Sequence, residues 1–126
     1  MEKKEITLCG KQVTLAYCFG TEISYNILSE EEIRDFVLQC VKDINKERSP
    51  DTRKGIYLIL AAMQAYYDSI GEDAPLTDKD LMFHMTAEEE GTAIGTIIGL
   101  WANFYKTPKG SKTEDDEKDT DDPKNG

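Results

Sequence analysis

The chain begins with a segment that strongly constrains its fold, because it reads as a β-hairpin. Residues 6–15 are ITLCGKQVTL, with a run of β-forming residues on each side of Gly10-Lys11. Glycine in a two-residue loop supplies the positive φ that a tight hairpin turn requires. We therefore predict two antiparallel strands joined by Gly10-Lys11.

This loop also predicts the strand register. With Gly10-Lys11 as the turn, Ile6 pairs with Leu15 and Leu8 with Val13. Directly opposed residues point to the same face, so one face of the hairpin is apolar. It comprises Ile6, Leu8, Val13 and Leu15, and is continued by Tyr17 and Phe19. An isolated hairpin is marginal in water, so we expect this face to cover the rest of the protein.

Two helices are predicted after the hairpin. Residues 21–28 form a short helix that turns Ile23, Tyr25 and Ile27 toward the core. Ser29 then suits the N-cap of a second helix, with Glu32 three residues later as its capping-box partner. Apolar residues at spacings of three and four follow as a single stripe. They are Ile33, Phe36, Val37, Cys40, Val41 and Ile44.

Three further helices complete the predicted body. Residues 52–70 leave almost no polar face, so this helix should be the central, buried element, with Gly71 at its C-terminal end. Residues 77–84 form a short helix. The last helix spans about residues 87–106 and opens with a second capping box, Thr86 to Glu89.

The predicted fold class is α+β and mainly α: an N-terminal hairpin packed on a small bundle of about five helices over residues 1–106. Residues 107–126 read TPKGSKTEDDEKDTDDPKNG and contain no aliphatic or aromatic side chain. Such a segment cannot offset the entropy of ordering, which predicts a disordered acidic tail.

Charge and composition exclude several function classes. A formal net charge of −10 over 126 residues argues against binding to nucleic acid or to an anionic membrane. The longest unbroken apolar run is residues 56–63, well short of the roughly 18 residues that a membrane span needs. The start, MEKKE, has no signal-peptide character, so we expect a cytoplasmic protein with reduced thiols at Cys9, Cys18 and Cys40.

Enzyme signatures are missing from the sequence. There is no phosphate-binding glycine loop, no GxSxG and no HExxH, and the single histidine, His84, lies among apolar residues in LMFHM. We predict a protein that is not an enzyme and that has no cofactor or metal site. Binding is better supported, since tyrosine and tryptophan are favoured at protein interfaces.

The last helix carries three glycines, Gly91, Gly95 and Gly99, at intervals of four residues. Each costs about 1 kcal/mol in a helix relative to alanine unless close packing compensates. Either another part of the chain, the central helix or the hairpin, packs on them, or they form an interface with another subunit or a partner. The predicted interface joins these glycines to apolar and aromatic neighbours, namely Ile94, Ile98, Trp101, Tyr105, Tyr17 and Phe19.

The hairpin ITLCGKQVTLAYCFGTEISY, followed by a helical body, resembles the tail assembly chaperones of long-tailed bacteriophages and prophages. The resemblance rests on the strand–Gly10-Lys11–strand unit and on the aromatic residues Tyr17, Phe19 and Tyr25. It is clearest over residues 1–30, extends as architecture to residue 106 and does not cover the tail.

The resemblance implies a non-enzymatic protein of the bacterial host cytoplasm that self-associates. It would keep a tape measure protein soluble and recruit tail tube subunits around it. It also implies a longer form made by ribosomal frameshifting, for which the codons of residues 123–125 permit a slippery run. The alternative is a helical adaptor or regulatory protein of a mobile element that forms a homodimer through its last helix.

Overall fold

The computed structural model describes residues 1–106, which form two strands and five helices. The elements are β1 (Glu2–Leu8), β2 (Lys11–Tyr17), α1 (Phe19–Ser29), α2 (Ile33–Asn45), α3 (Thr52–Ser69), α4 (Asp78–His84) and α5 (Ala87–Lys106). This confirms the predicted class, an N-terminal antiparallel hairpin followed by five helices. The predicted acidic tail, residues 107–126, lies outside the described residues.

The hairpin turn differs from the predicted one. The two loop residues are Cys9 and Gly10, with φ of 52° and 77°. Leu8 pairs with Lys11, and the predicted register is wrong by two residues. Two consecutive positive φ angles are typical of a type I′ turn, which places glycine second in the loop rather than first. A shift of two residues leaves every side chain on its predicted face, because side chains alternate with a period of two.

The apolar face of the hairpin covers α3 and α5, with β2 lying mainly on α3 and β1 mainly on α5. Leu8, Val13 and Leu15 are completely buried there. Polar contacts hold the hairpin in place as well. The Tyr67 hydroxyl of α3 accepts the Thr14 backbone N–H at 3.2 Å. The hairpin therefore forms one wall of the core.

The central position predicted for α3 is confirmed. Leu58, Ile59 and Met63 are completely buried, and each such side chain contributes about 1.5–3 kcal/mol relative to an exposed one. The helix begins where the Asp51 side chain accepts the Lys54 backbone N–H at 3.1 Å. At its other end Gly71 adopts φ of 71°, and the N–H groups of residues 71 and 72 bond the carbonyls of residues 68 and 67. This is a Schellman-type end of the kind predicted for that glycine.

The orientation predicted for α1 is wrong for its two isoleucines. Ile23 and Ile27 are 60% and 72% exposed, whereas Thr21 and Tyr25 are completely buried. Both buried residues satisfy their hydroxyls within the chain: Thr21 Oγ1 donates to the Ala16 carbonyl at 2.9 Å, and Tyr25 donates to the Glu31 carboxylate at 2.6 Å. A hydroxyl with a partner can be buried at little cost, so hydrophobicity alone misassigned this face.

The predicted capping box at the start of α2 is also wrong. Ser29 is the last residue of α1, where its Oγ donates to the Tyr25 carbonyl at 2.7 Å. Glu30 then takes a left-handed conformation with φ of 62°, and Glu32 becomes the N-cap of α2. The predicted stripe is buried only in part. Ile33, Phe36, Val37 and Cys40 are buried, and Val41 and Ile44 are exposed.

The last two helices agree with the prediction. Thr77 caps α4 in a reciprocal box with Asp80. The Thr86 side chain accepts the Glu89 backbone N–H at 3.1 Å, and Glu89 accepts the Thr86 N–H at 2.9 Å. Among residues 1–106, no helix has the length and apolar character needed to cross a bilayer.

Candidate functional site

An aromatic cluster joins the end of β2, the start of α1 and the C-terminal part of α5. Phe104 is at its centre, with ring centroids 5.3 Å from Tyr17, 5.2 Å from Phe19 and 5.1 Å from Tyr105. Trp101 stacks edge-on against Tyr105 at 6.0 Å. The structure thus brings together four of the predicted interface residues, Tyr17, Phe19, Trp101 and Tyr105.

Beside this cluster lies an open groove of about 580 Å³, which we call the α1–α5 groove. Its walls come from α1, from the start of α2 and from the end of α5. Its lining residues are Glu22, Ile23, Asn26, Glu32, Ile33, Arg34, Trp101 and Tyr105. The groove therefore combines two aromatic rings and two isoleucines with three charged groups.

The outer face of α1 extends the apolar wall of this groove. Phe19, Ile23 and Ile27 recur every four residues, so they share one side of the helix. Their exposed fractions are 65%, 60% and 72%. Together with the half-exposed Tyr105 they form a contiguous apolar surface of the kind that marks protein interaction sites.

Glu22 organises the polar side of the groove. Its Oε2 accepts hydrogen bonds from two phenols, from Tyr17 at 2.7 Å and from Tyr105. The hydrogen bond to Glu22 raises the pKa of Tyr105 to about 12, while burial, with the same carboxylate second, raises the pKa of Tyr17. Across the groove Arg34 pairs with Glu32 at 3.5 Å. Both phenols therefore stay protonated at neutral pH and fix the position of the Glu22 carboxylate.

The three glycines of α5 face away from the core. A Cβ built on Gly91, Gly95 or Gly99 would meet no atom of the described chain within 4 Å, leaving aside the helix's own neighbouring backbone. The alternative in which the central helix or the hairpin packs on these glycines is therefore wrong for residues 1–106. Between Glu90 and Lys106 the helix contains no charged residue, so its outer face is small and uncharged.

Two other predicted interface residues lie inside the chain. Ile94 is 4% exposed and packs toward Gly55 of α3, where a Cβ would lie 3.0 Å from Ile94 Cδ1. Tyr17 is completely buried, and it acts on the groove only through its hydroxyl. Ile98 is half-buried at the edge of the glycine face. Of the predicted interface residues, those with exposed or half-exposed surface are therefore the glycines, Ile98, Phe19, Trp101 and Tyr105.

The groups that carry catalytic chemistry are dispersed in the structure. His84 is exposed at the end of α4. The three cysteines are free, and burial raises the pKa of Cys40 to about 11, so this thiol is protonated at neutral pH. Within residues 1–106 there is no group of three or more histidine, cysteine, aspartate or glutamate side chains that could hold a metal ion.

Sequence reasoning identified Trp101 and Tyr105 and missed the other six lining residues of the groove: Glu22, Ile23, Asn26, Glu32, Ile33 and Arg34. One available signal was charge, since residues 19–32 contain four glutamates and no lysine, arginine or histidine.

No protein-family model, curated protein or solved structure matches the chain. The interpretation of the groove therefore rests on its own geometry.

Proposed function

We propose that this chain binds a helical segment of another protein through the α1–α5 groove, as a tail assembly chaperone of a long-tailed phage or prophage. Its partner would be the tape measure protein, around which it would recruit tail tube subunits during tail assembly. It would act in the cytoplasm of the bacterial host, without catalysis and as a homo-oligomer. The identity of the partner comes from the resemblance of residues 1–30.

The observation that carries this proposal is the open apolar wall of α1. Removing a large aliphatic side chain from water is worth about 1.5–3 kcal/mol. Helix α1 leaves Ile23 mostly exposed in the groove that Trp101 and Tyr105 also line, and leaves Ile27 mostly exposed one turn further along the same helix face. An apolar groove between helices is a common receptor for an amphipathic helix, whose side chains at i, i+3, i+4 and i+7 enter it. Protein binding is thus the activity that this geometry favours.

The test begins with the DNA around the gene. The proposal predicts a tail tube gene upstream, a slippery run near Lys124 and a very long helical reading frame downstream. Co-expression with that downstream product should give a complex that copurifies. The chaperone interpretation fails if the neighbouring genes encode regulators or metabolic enzymes.

The groove itself is tested with exposed substitutions. The double variant Ile23→Ser, Ile27→Ser should weaken the complex by about tenfold or more, since each isoleucine would lose the apolar burial that the partner provides. Leu38→Ser is the matched control, because Leu38 is 51% exposed on α2 and does not line the groove. Equal binding by both variants would rule out the α1 wall as the docking surface.

One observation favours a second candidate function. The outer face of α5, with Gly91, Gly95 and Gly99 open and uncharged, would allow the same helix of a second copy to approach closely. The chain would then be a homodimeric adaptor or regulatory protein of a mobile element. Sedimentation separates the two candidates: the adaptor is a fixed dimer at all concentrations, whereas the chaperone forms rings or a variable set of oligomers.

A further inference from the structure

The α1–α5 groove contains one charged group that the described chain leaves without an ionic partner. Arg34 and Glu32 balance each other at 3.5 Å. The hydrogen bonds that Glu22 accepts come from the neutral phenols of Tyr17 and Tyr105, and both are made to the same oxygen, Oε2. No lysine, arginine or histidine within residues 1–106 forms an ion pair with Glu22. Its carboxylate therefore lines the groove without a basic partner among the described residues, and its two hydrogen bonds from the phenols use only one of its oxygens.

The side chains around this carboxylate suit a cation. Trp101 and Tyr105 line the same groove, and their rings stack edge-on with centroids 6.0 Å apart. Lysine and arginine pack their aliphatic stems on apolar surface and place their charge against aromatic faces. A carboxylate beside tryptophan and tyrosine rings can therefore form an ion pair with a lysine or arginine whose stem and charge pack against the rings.

The charge of the residues around the groove also favours binding of a cation. Residues 19–32 contribute four glutamates and no basic residue, and the chain as a whole carries a net charge of −10. A surface of one sign attracts partners of the opposite sign and repels its own copies. Charge complementarity therefore favours a basic partner over a second copy of this acidic chain.

We propose that the α1–α5 groove recognises a basic amphipathic helix, one of whose lysine or arginine side chains enters beside Trp101 and Tyr105 and pairs with Glu22. Apolar residues one turn away on that helix would pack against Ile23 and Ile27. This inference rests on the proposed function, since it specifies the chemistry of the helix that the groove binds.

The experiment uses two synthetic helices and the full chain. Both peptides have about four turns with leucines along one face. One carries lysines on its polar face, and the other carries glutamines at the same positions. Trp101 is the only tryptophan of the chain, so its fluorescence reports occupancy of the groove directly. We expect the lysine peptide to bind at least about tenfold more tightly than the glutamine peptide, equivalent to about 1.4 kcal/mol.

Glu22→Gln is the decisive variant, because its amide oxygen can still accept the two phenols while its charge is removed. It should abolish most of the preference for lysine. Glu72→Gln removes one exposed charge outside the groove and should retain that preference, which corrects for general attraction to an acidic protein. Circular dichroism checks that both variants are folded.

Each other outcome has a distinct meaning. If both peptides bind wild type equally, or if Glu22→Gln and Glu72→Gln behave alike, the proposed cation site is overturned while helix binding by the groove stands. If neither peptide changes Trp101 fluorescence and the tape measure protein does not copurify, the proposed function fails as well. If Glu22→Gln instead changes the sedimentation of the chain alone, the groove is an interface between copies, which also overturns the inference.

Discussion

Replacing the three glycines of α5 with alanine should stabilise the isolated protein. Gly91, Gly95 and Gly99 have open space where a Cβ would lie, so the new methyl groups meet no obstacle within residues 1–106. Alanine is favoured over glycine by about 0.8–1 kcal/mol at each interior helix position. We expect the triple variant to gain about 2–3 kcal/mol in free energy of unfolding.

The assay is urea unfolding followed by the helical circular dichroism signal. With a urea dependence of about 1–3 kcal/mol per molar, the gain corresponds to a midpoint about 1 M or more higher. Gly55→Ala is the matched control, because this glycine is buried in α3. Its Cβ would lie 3.0 Å from Glu90 Oε2 and 3.0 Å from Ile94 Cδ1. That crowding should cancel the helix-propensity gain, giving an unchanged or lower midpoint.

A lower midpoint for the triple variant would refute the reasoning, since it would mean that part of the chain packs on this face. A higher midpoint leaves the intrachain structure as described and makes the variant useful for binding experiments. If a partner or a second copy lies on the glycines, the same methyl groups should separate the two backbones and weaken the complex. Stability and binding would then change in opposite directions.

Three further predictions concern single side chains. Glu90 Oε2 is buried without a partner among the described residues, and burial raises the pKa of this carboxyl above 4.5. The free energy of unfolding of the wild type should therefore fall as the pH rises through the folded-state pKa of Glu90. Glu90→Gln should remove this decrease and gain up to about 1 kcal/mol at pH 7, measured by urea unfolding. The expected gain is small because solvent screens the exposed part of the carboxylate. Tyr17→Phe removes the hydrogen bond from a buried ring to Glu22 and should lower the free energy of unfolding by about 1.5–3 kcal/mol. Tyr105→Phe, at a half-exposed position, should lower it by less than about 1 kcal/mol in the same assay. Thr86→Ala removes the N-cap of α5 and should lower the thermal midpoint by an amount equivalent to about 1 kcal/mol.

Local patterns in the sequence determined most of the fold. The capping box at Thr86 was predicted correctly because it depends on residues only three positions apart. The hairpin was predicted, but its turn was misplaced by one residue, because the loop needs a positive φ at Cys9 as well as at Gly10. A cysteine in a left-handed conformation has no signal in the sequence, since it follows from how the turn closes.

The candidate site was predicted only in part, for reasons that involve long-range contacts. Trp101 and Tyr105 were identified because aromatic residues on a helix with a glycine stripe suggested an interface. The hydrogen bond between Tyr105 and Glu22 joins positions 83 residues apart in the chain, and no local pattern in the sequence predicts such a pairing. The sequence also could not determine whether the glycine face of α5 is buried or exposed. A stripe of small residues has the same spacing in both cases.

The misassigned face of α1 shows the limit of hydrophobic periodicity as a guide to which side of a helix is buried. Phe19, Ile23 and Ile27 have the spacing of a buried stripe, yet the chain buries Thr21 and Tyr25 and exposes the other three. A stripe that packs in the core and a stripe that packs on a partner are produced by the same apolar burial, so the two are indistinguishable in sequence. What separates them is whether the polar groups on the competing face find hydrogen-bond partners within the chain. Here they do, and Ile23 and Ile27 stay exposed; in the proposed function a second protein covers them.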